Sequence, residues 1–220
     1  MAVTPRALGR FLVALLAVVC AAGLAAEIGY LYVGIPDELA AFFSLSAEGN
    51  LPTWVASSLL FSCSLLLAAI AGDVAREQGR FRRHWVVLVI VFAYMSLDEA
   101  VEIHEHLGGW IETGGLLYFD WVIPAAVLVL AVGIAYLRFL AHLDPQTRRR
   151  FVVAGALYVG GALLMELPLG WWTEQHGDDN LGYALMDWIE ETLELAGASY
   201  FLVSLWQYRS DRSLQMPRAS

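Results

Sequence analysis

The chain has 220 residues, 59% of them hydrophobic and 16% charged, with a net charge of −9 at neutral pH. A soluble domain carries about 25% charged and about 45–50% apolar residues, so this composition, gathered in long runs, excludes an ordinary soluble domain and points to an integral membrane protein. The acidic balance, without a basic patch outside short loops, excludes nucleic acid as a partner.

Six apolar runs reach the roughly 20 residues needed to cross a bilayer: about 11–34, 53–72, 84–106, 118–141, 151–172 and 183–207. They predict an all-α fold, a six-span transmembrane helix bundle forming one domain over residues 1–220. Arg6 and Arg10 precede the first run, which carries Glu27 in its far half. Two arginines before an apolar core also fit a signal peptide. The run continues through Tyr32, however, and so reads as a retained span. Pro36 and Asp37 predict a short helix along the interface, and Glu48 and Asn50 follow on the same loop. Arg76, Arg80, Arg82 and Arg83 separate the second run from the third, which ends Ser96-Leu97-Asp98-Glu99-Ala100-Val101-Glu102-Ile103-His104-Glu105-His106. Asp120 opens the fourth. Arg138, Arg148, Arg149 and Arg150 lie at the junction with the fifth, where Glu166 is followed by Pro168. His176, Asp178 and Asp179 occupy the next loop. The sixth begins Met186-Asp187-Trp188-Ile189-Glu190-Glu191-Thr192-Leu193-Glu194, and Arg209, Arg212 and Arg218 follow it.

There is no lysine; all thirteen cationic side chains are arginines, and the alternate loops 35–52, 107–117 and 173–182 contain none. By the positive-inside rule both termini are cytoplasmic. The tryptophans fall near predicted span ends, as an interfacial belt does. Cys20 and Cys63 sit inside apolar runs and read as small core residues.

The carboxylates are the main functional clue. At about 100° per residue, Asp98, Glu102, Glu105 and His106 share one face of the third span, bordered by Glu99. Asp187, Glu191 and Glu194 share a face of the sixth, bordered by Glu190. The spacing Asp-x-x-x-Glu-x-x-Glu therefore occurs twice, at 98/102/105 and 187/191/194. The two spans run in opposite directions, so both stretches fall in the outer half. Side by side, Asp98 would lie level with Glu194, and Glu102 with Glu191. Glu166 lies at the same depth. An ionised carboxylate at mid-bilayer costs about 2.5–3.5 kcal/mol, and several together repel one another. No arginine is predicted within reach, so the array needs protons, water or a metal. Carboxylates with a few imidazoles suit iron, manganese or zinc.

The segments Glu48-Gly49-Asn50-Leu51-Pro52-Thr53-Trp54 and Leu97-Asp98-Glu99-Ala100-Val101-Glu102-Ile103-His104-Glu105 resemble a group of bacterial multi-pass membrane proteins. That resemblance implies a bacterial inner-membrane setting and brings no activity with it. In its chemistry the array is similar to carboxylate-rich di-iron bundles, which use Glu-x-x-His on two helices; the nearest spacing here is Glu102-x-x-x-His106.

Three functions follow as expectations. One is a membrane-embedded metalloenzyme, a hydrolase or oxidoreductase acting on a lipid or other amphiphile. A divalent metal would be held among Asp98, Glu102, His104, Glu105, His106, Glu166, Asp187, Glu191 and Glu194, with Glu99 or Glu190 moving protons. The second is a cation or proton transporter, which uses paired intramembrane acids. The third is a non-catalytic metal-dependent sensor or assembly factor.

Overall fold

The computed structural model describes residues 4–103 and 113–215, and these are helical throughout apart from turns and loops. Helix α1 (Pro5–Ile28) runs into a π-helical turn, Gly29–Val33. A short α2 (Asp37–Phe43) begins after Pro36, as the sequence predicts. Helices α3 (Leu51–Arg76) and α4 (Arg82–Val101) form an antiparallel pair, followed by α5 (Val122–His142). Helix α6 (Pro145–Val159) continues through a π-helical segment, Gly160–Met165, into α7 (Glu166–His176), and α8 spans Leu181–Gln215. Among the described residues, five stretches are long and apolar enough to cross a bilayer: Pro5–Val33, Leu51–Arg76, Arg82–Val101, Val122–His142 and Pro145–His176. Helix α8 has 35 residues and so extends about 52 Å. Its run of carboxyls makes it less apolar than these five. It lies among α1, α3, α6 and α7, which shelter that polar stripe.

The helix starts follow from local chemistry. Thr4, Asn50 and Asp144 cap α1, α3 and α6 through their side chains, each with a proline in the first turn. Pro suits that position because its missing N–H has no partner there anyway. Asn50 does more than cap: its amide donates to the carbonyls of Ala41, Ser44 and Ala47 at 2.8, 2.7 and 2.6 Å, folding the loop after α2 back over α3. Asp144 accepts from the Gln146 and Thr147 N–H groups, both at 3.0 Å. Partial burial disfavours its charge, but the Thr147 side chain, these two N–H groups and Arg150 outweigh burial and hold the carboxyl below the usual aspartate range. A lowered folded value means the cap stabilises above the unfolded value and is lost as the pH falls through the folded one. Asp144→Ala is therefore expected to cost about 1 kcal/mol at neutral pH. Thermal melts of the variant and the wild type should converge in acid.

The helix ends rich in arginine gather at one end of the bundle. Arg209 pairs with Asp73 at 2.8 Å and Arg212 with Glu77, joining α8 to the end of α3. Trp85, 2% exposed, packs edge-on to Phe139 and stacks on Tyr208, with ring centroids at 4.9 and 5.2 Å. This Trp is core and not belt. Trp188 also lies inside the bundle, donating its indole N–H to the Cys20 carbonyl at 2.8 Å. Across α3 and α4, the Ser57 hydroxyl donates to the Ser96 carbonyl at 2.7 Å and the Ser96 hydroxyl to the Ser57 carbonyl at 2.8 Å. Such small hydroxyl residues let spans approach closely in lipid. Cys20 and Cys63 are buried and free.

Two departures from the predicted spans shape the site. The third breaks as a continuous helix earlier than predicted: α4 ends at Val101, and Glu102 turns left-handed at φ 58°. His104, Glu105 and His106 lie outside the described residues. The fifth span widens into the π segment just before Glu166 and Pro168. A proline inside a helix lacks its N–H and crowds the preceding turn; a wider turn is one way a helix accommodates it.

Candidate functional site

The site begins with two glycines that bring α8 against the helix opposite. A Cβ on Gly197 would stand 2.6 Å from the Tyr158 nitrogen and 2.9 Å from its Cα. A Cβ on Gly161 would stand 2.6 Å from the Glu190 carbonyl oxygen and 2.8 Å from Glu194 Cγ. With no side chain at either position, α6 and the π segment lie directly on the acidic stretch of α8. Tyr158 is thereby set beside Glu194 and hydrogen-bonds to its carboxyl.

Around this contact lies a cavity of about 10 Å³, room for one water molecule. It is lined by Ala56 and Leu60 of α3, Glu99 of α4, Tyr158 of α6, and Glu191, Glu194, Leu195 and Ala198 of α8. Towards the arginine end, Phe201 of α8 stacks on Phe92 of α4 and meets Phe151 of α6, with centroids at 4.8 and 4.9 Å. Carboxyls thus occupy the upper part of the bundle and aromatic rings the part below.

A second limb of the cluster runs towards the acidic end. Asp187 is buried and accepts a hydrogen bond from the hydroxyl of Ser46, which is itself exposed. Glu27 of α1 accepts from Ser44 on the same loop. Glu190, 7% exposed, lies near the carboxyls of Glu166, Glu194 and Asp187. Among the described residues its Oε2 is buried and meets no donor. Leaving such an acceptor unsatisfied costs about 1–3 kcal/mol. Glu99, Glu166, Asp187, Glu190 and Glu191 all act on Glu194, and all are carboxyls.

The structure brings together Glu99, Glu191 and Glu194 at the cavity, and Glu166, Asp187 and Glu190 beside it. Asp98 and Glu102 do not line the cavity. On α4 the inward acid is Glu99, which the helical wheel had put at the margin, so the side-by-side levels Asp98–Glu194 and Glu102–Glu191 do not describe the cavity. Among the described residues no group of three or more His, Cys, Asp or Glu side chains is spaced to hold a metal ion. The described residues alone therefore do not fit iron, manganese or zinc. The sequence reading missed Tyr158, Ser44 and Ser46. Tyr158 lies on a predicted span, eight residues before Glu166, a spacing that leaves the two about 80° apart on a regular helix and so gave no signal. Nothing local marks the two serines.

Glu102 gives a test of the local backbone. A non-glycine residue in the left-handed region is strained, typically by about 1–2 kcal/mol. Glu102→Gly and Glu102→Ala lose the same side chain, so the difference between them reads the backbone alone: the glycine variant is expected to be about 1 kcal/mol the more stable. Equal unfolding temperatures of the two variants would contradict the left-handed turn.

A bundle of long apolar helices closed around buried carboxyls has the make-up of a multi-pass helical membrane protein. Over residues 11–208 the chain matches the family described as "Domain of unknown function (DUF8692)", and it belongs to that family. No curated protein and no solved structure matches it.

Proposed function

We propose that the chain is a six-span protein of the bacterial inner membrane, both termini cytoplasmic, whose carboxyl cluster takes up protons or cations from the outer side in the course of transport. Helix α8 is the sixth span in this arrangement. The observation that carries the proposal is the convergence of Glu99, Glu191, Glu194 and Tyr158, from three helices, on one water-sized cavity in the acidic half. Carboxyls withdrawn from water and set beside one another are neutral or balanced by a cation, and exchange of one for the other is the chemistry of a coupled transporter. The exposed Ser46 above and the phenylalanines below favour access from the outside. The π segments adjoining Glu27 and Glu166 are the kind of helical irregularity that recurs at functional sites.

A metal-dependent hydrolase or oxidoreductase acting on a lipid or amphiphile would draw on His104, Glu105 and His106 together with Asp98, Glu102, Glu166, Asp187, Glu191 and Glu194. The described residues by themselves supply no such metal group.

The test uses the full chain in sealed vesicles with a pH-sensitive dye inside. A sodium, calcium or manganese gradient is expected to move protons across the membrane, and Glu191→Gln with Glu194→Gln to abolish the movement. No proton movement, together with stoichiometric iron, manganese or zinc in protein purified without chelator, would replace transport by the metalloenzyme. The orientation has its own check. Cys20 and Cys63 are buried, so an added cysteine is the accessible thiol. Gly114→Cys is expected to react with an impermeant thiol reagent from the periplasm and Gln78→Cys to be protected; the reverse pattern would invert the topology.

A further inference from the structure

Glu190 does not line the cavity, yet it is a buried acid within electrostatic reach of both Asp187 and Glu194. On α8 the acids follow at 187, 190, 191 and 194, a spacing that winds one continuous stripe along the helix. Asp187 stands at the outer end of this stripe, tied to exposed Ser46. Glu194 stands at the inner end, on the cavity with Glu99 and Glu191. Glu190 comes between them, with Asp187 on one side and Glu194 on the other. Glu166 faces it from α7, and Tyr183 and Glu191 from α8 itself. Glu27 of α1 acts on Asp187 in turn. The Oε2 of Glu190 is buried and undonated among the described residues. A structural carboxyl normally engages its acceptors, whereas a relay needs one that a proton can reach.

We propose that Glu190 is a proton relay, carrying protons between Asp187, buried beneath exposed Ser46, and Glu194 at the cavity. The proposal rests on the proton-uptake function above. Ser46 occupies Oδ2 of Asp187, so the proton arriving from outside water is carried on the other carboxyl oxygen. Asp187 gives that proton to the carboxylate of Glu190 and becomes the carboxylate itself, to be reprotonated from outside. Glu190 then gives the proton to the carboxylate of Glu194 and returns to its starting form. No electron moves, and the net change is one proton taken from outside water and held at the cavity.

The relay is tested on the full chain in detergent by mixing it from water into heavy water. Exchange of the cavity's carboxylic O–H groups is followed by infrared spectroscopy, with the bands assigned from Glu99→Gln and Glu194→Gln. Glu190→Gln is expected to slow the exchange about a hundredfold, in the range found when a positioned proton-transfer group is lost, and Glu190→Asp to restore most of the rate. Asp187→Asn, which leaves Glu190 in place, is expected to slow it likewise. A wild-type rate in either Glu190→Gln or Asp187→Asn, or a Glu190→Asp rate as slow as that of Glu190→Gln, would overturn the relay while leaving proton uptake intact. A wild-type chain that shows no carboxylic acid band at any buffer pH would overturn the relay and the uptake function together.

Discussion

Alanine at Gly197 is expected to be among the most damaging single-methyl additions to this chain. The added carbon would meet the backbone of Tyr158 at 2.6–2.9 Å, where no flexible side chain can swing aside. The helices must separate, and overpacking of this kind costs about 1–3 kcal/mol. Separation also draws the Tyr158 hydroxyl away from Glu194. Gly161→Ala meets the same obstacle one contact further along, at the Glu190 carbonyl oxygen. The two variants share one interface, so their costs should not add. Gly72 serves as a control, since a Cβ there meets nothing within 4 Å. Thermal unfolding in mild detergent reads the effect. Melting of Gly197→Ala at the wild-type temperature would mean that α6 and α8 do not approach as closely as described.

The second large effect has the opposite sign. Converting Glu99, Glu191 and Glu194 together to glutamine keeps their size while removing three carboxyls that face one another around a single cavity. Glutamine at each position removes the like-charge repulsion that ionising any two of the three carboxyls would bring. The triple variant is therefore expected to unfold at a higher temperature than the wild type and to lose proton uptake entirely. Stability gained as function is lost is the usual mark of a site held against its own repulsion. Loss of stability in the triple variant would show instead that the carboxyls hold the bundle together, as structural groups do.

Much of the scaffold is legible in the sequence. The long runs and the arginine-bearing ends depend on hydropathy and on neighbours a few residues away. The acidic stretch of α8 was equally plain, because four acids in eight apolar-flanked residues cannot be overlooked. Two tryptophans placed in the belt by sequence, Trp85 and Trp188, are inside the bundle, since proximity to a span end does not say which way a ring points.

Which acids meet is decided elsewhere. The helical wheel on residues 98–106 assumes an unbroken helix, and the left-handed Glu102 ends that helix at Val101. Rotation of α4 about its axis then sets Glu99, and not Asp98, on the cavity, and an error of one residue turns a side chain by about 100°. The partners that complete the cluster are remote in sequence: Ser46 and Asp187 are 141 positions apart. The sequence by itself determined five long apolar helices, their arginine-bearing ends and the acidic stretch of α8, because those properties are local. The facing of Glu99, Tyr158, Glu191 and Glu194 was decided by tertiary structure alone, because close approach at Gly161 and Gly197 fixes the rotation and register of whole helices, quantities that no local spacing contains.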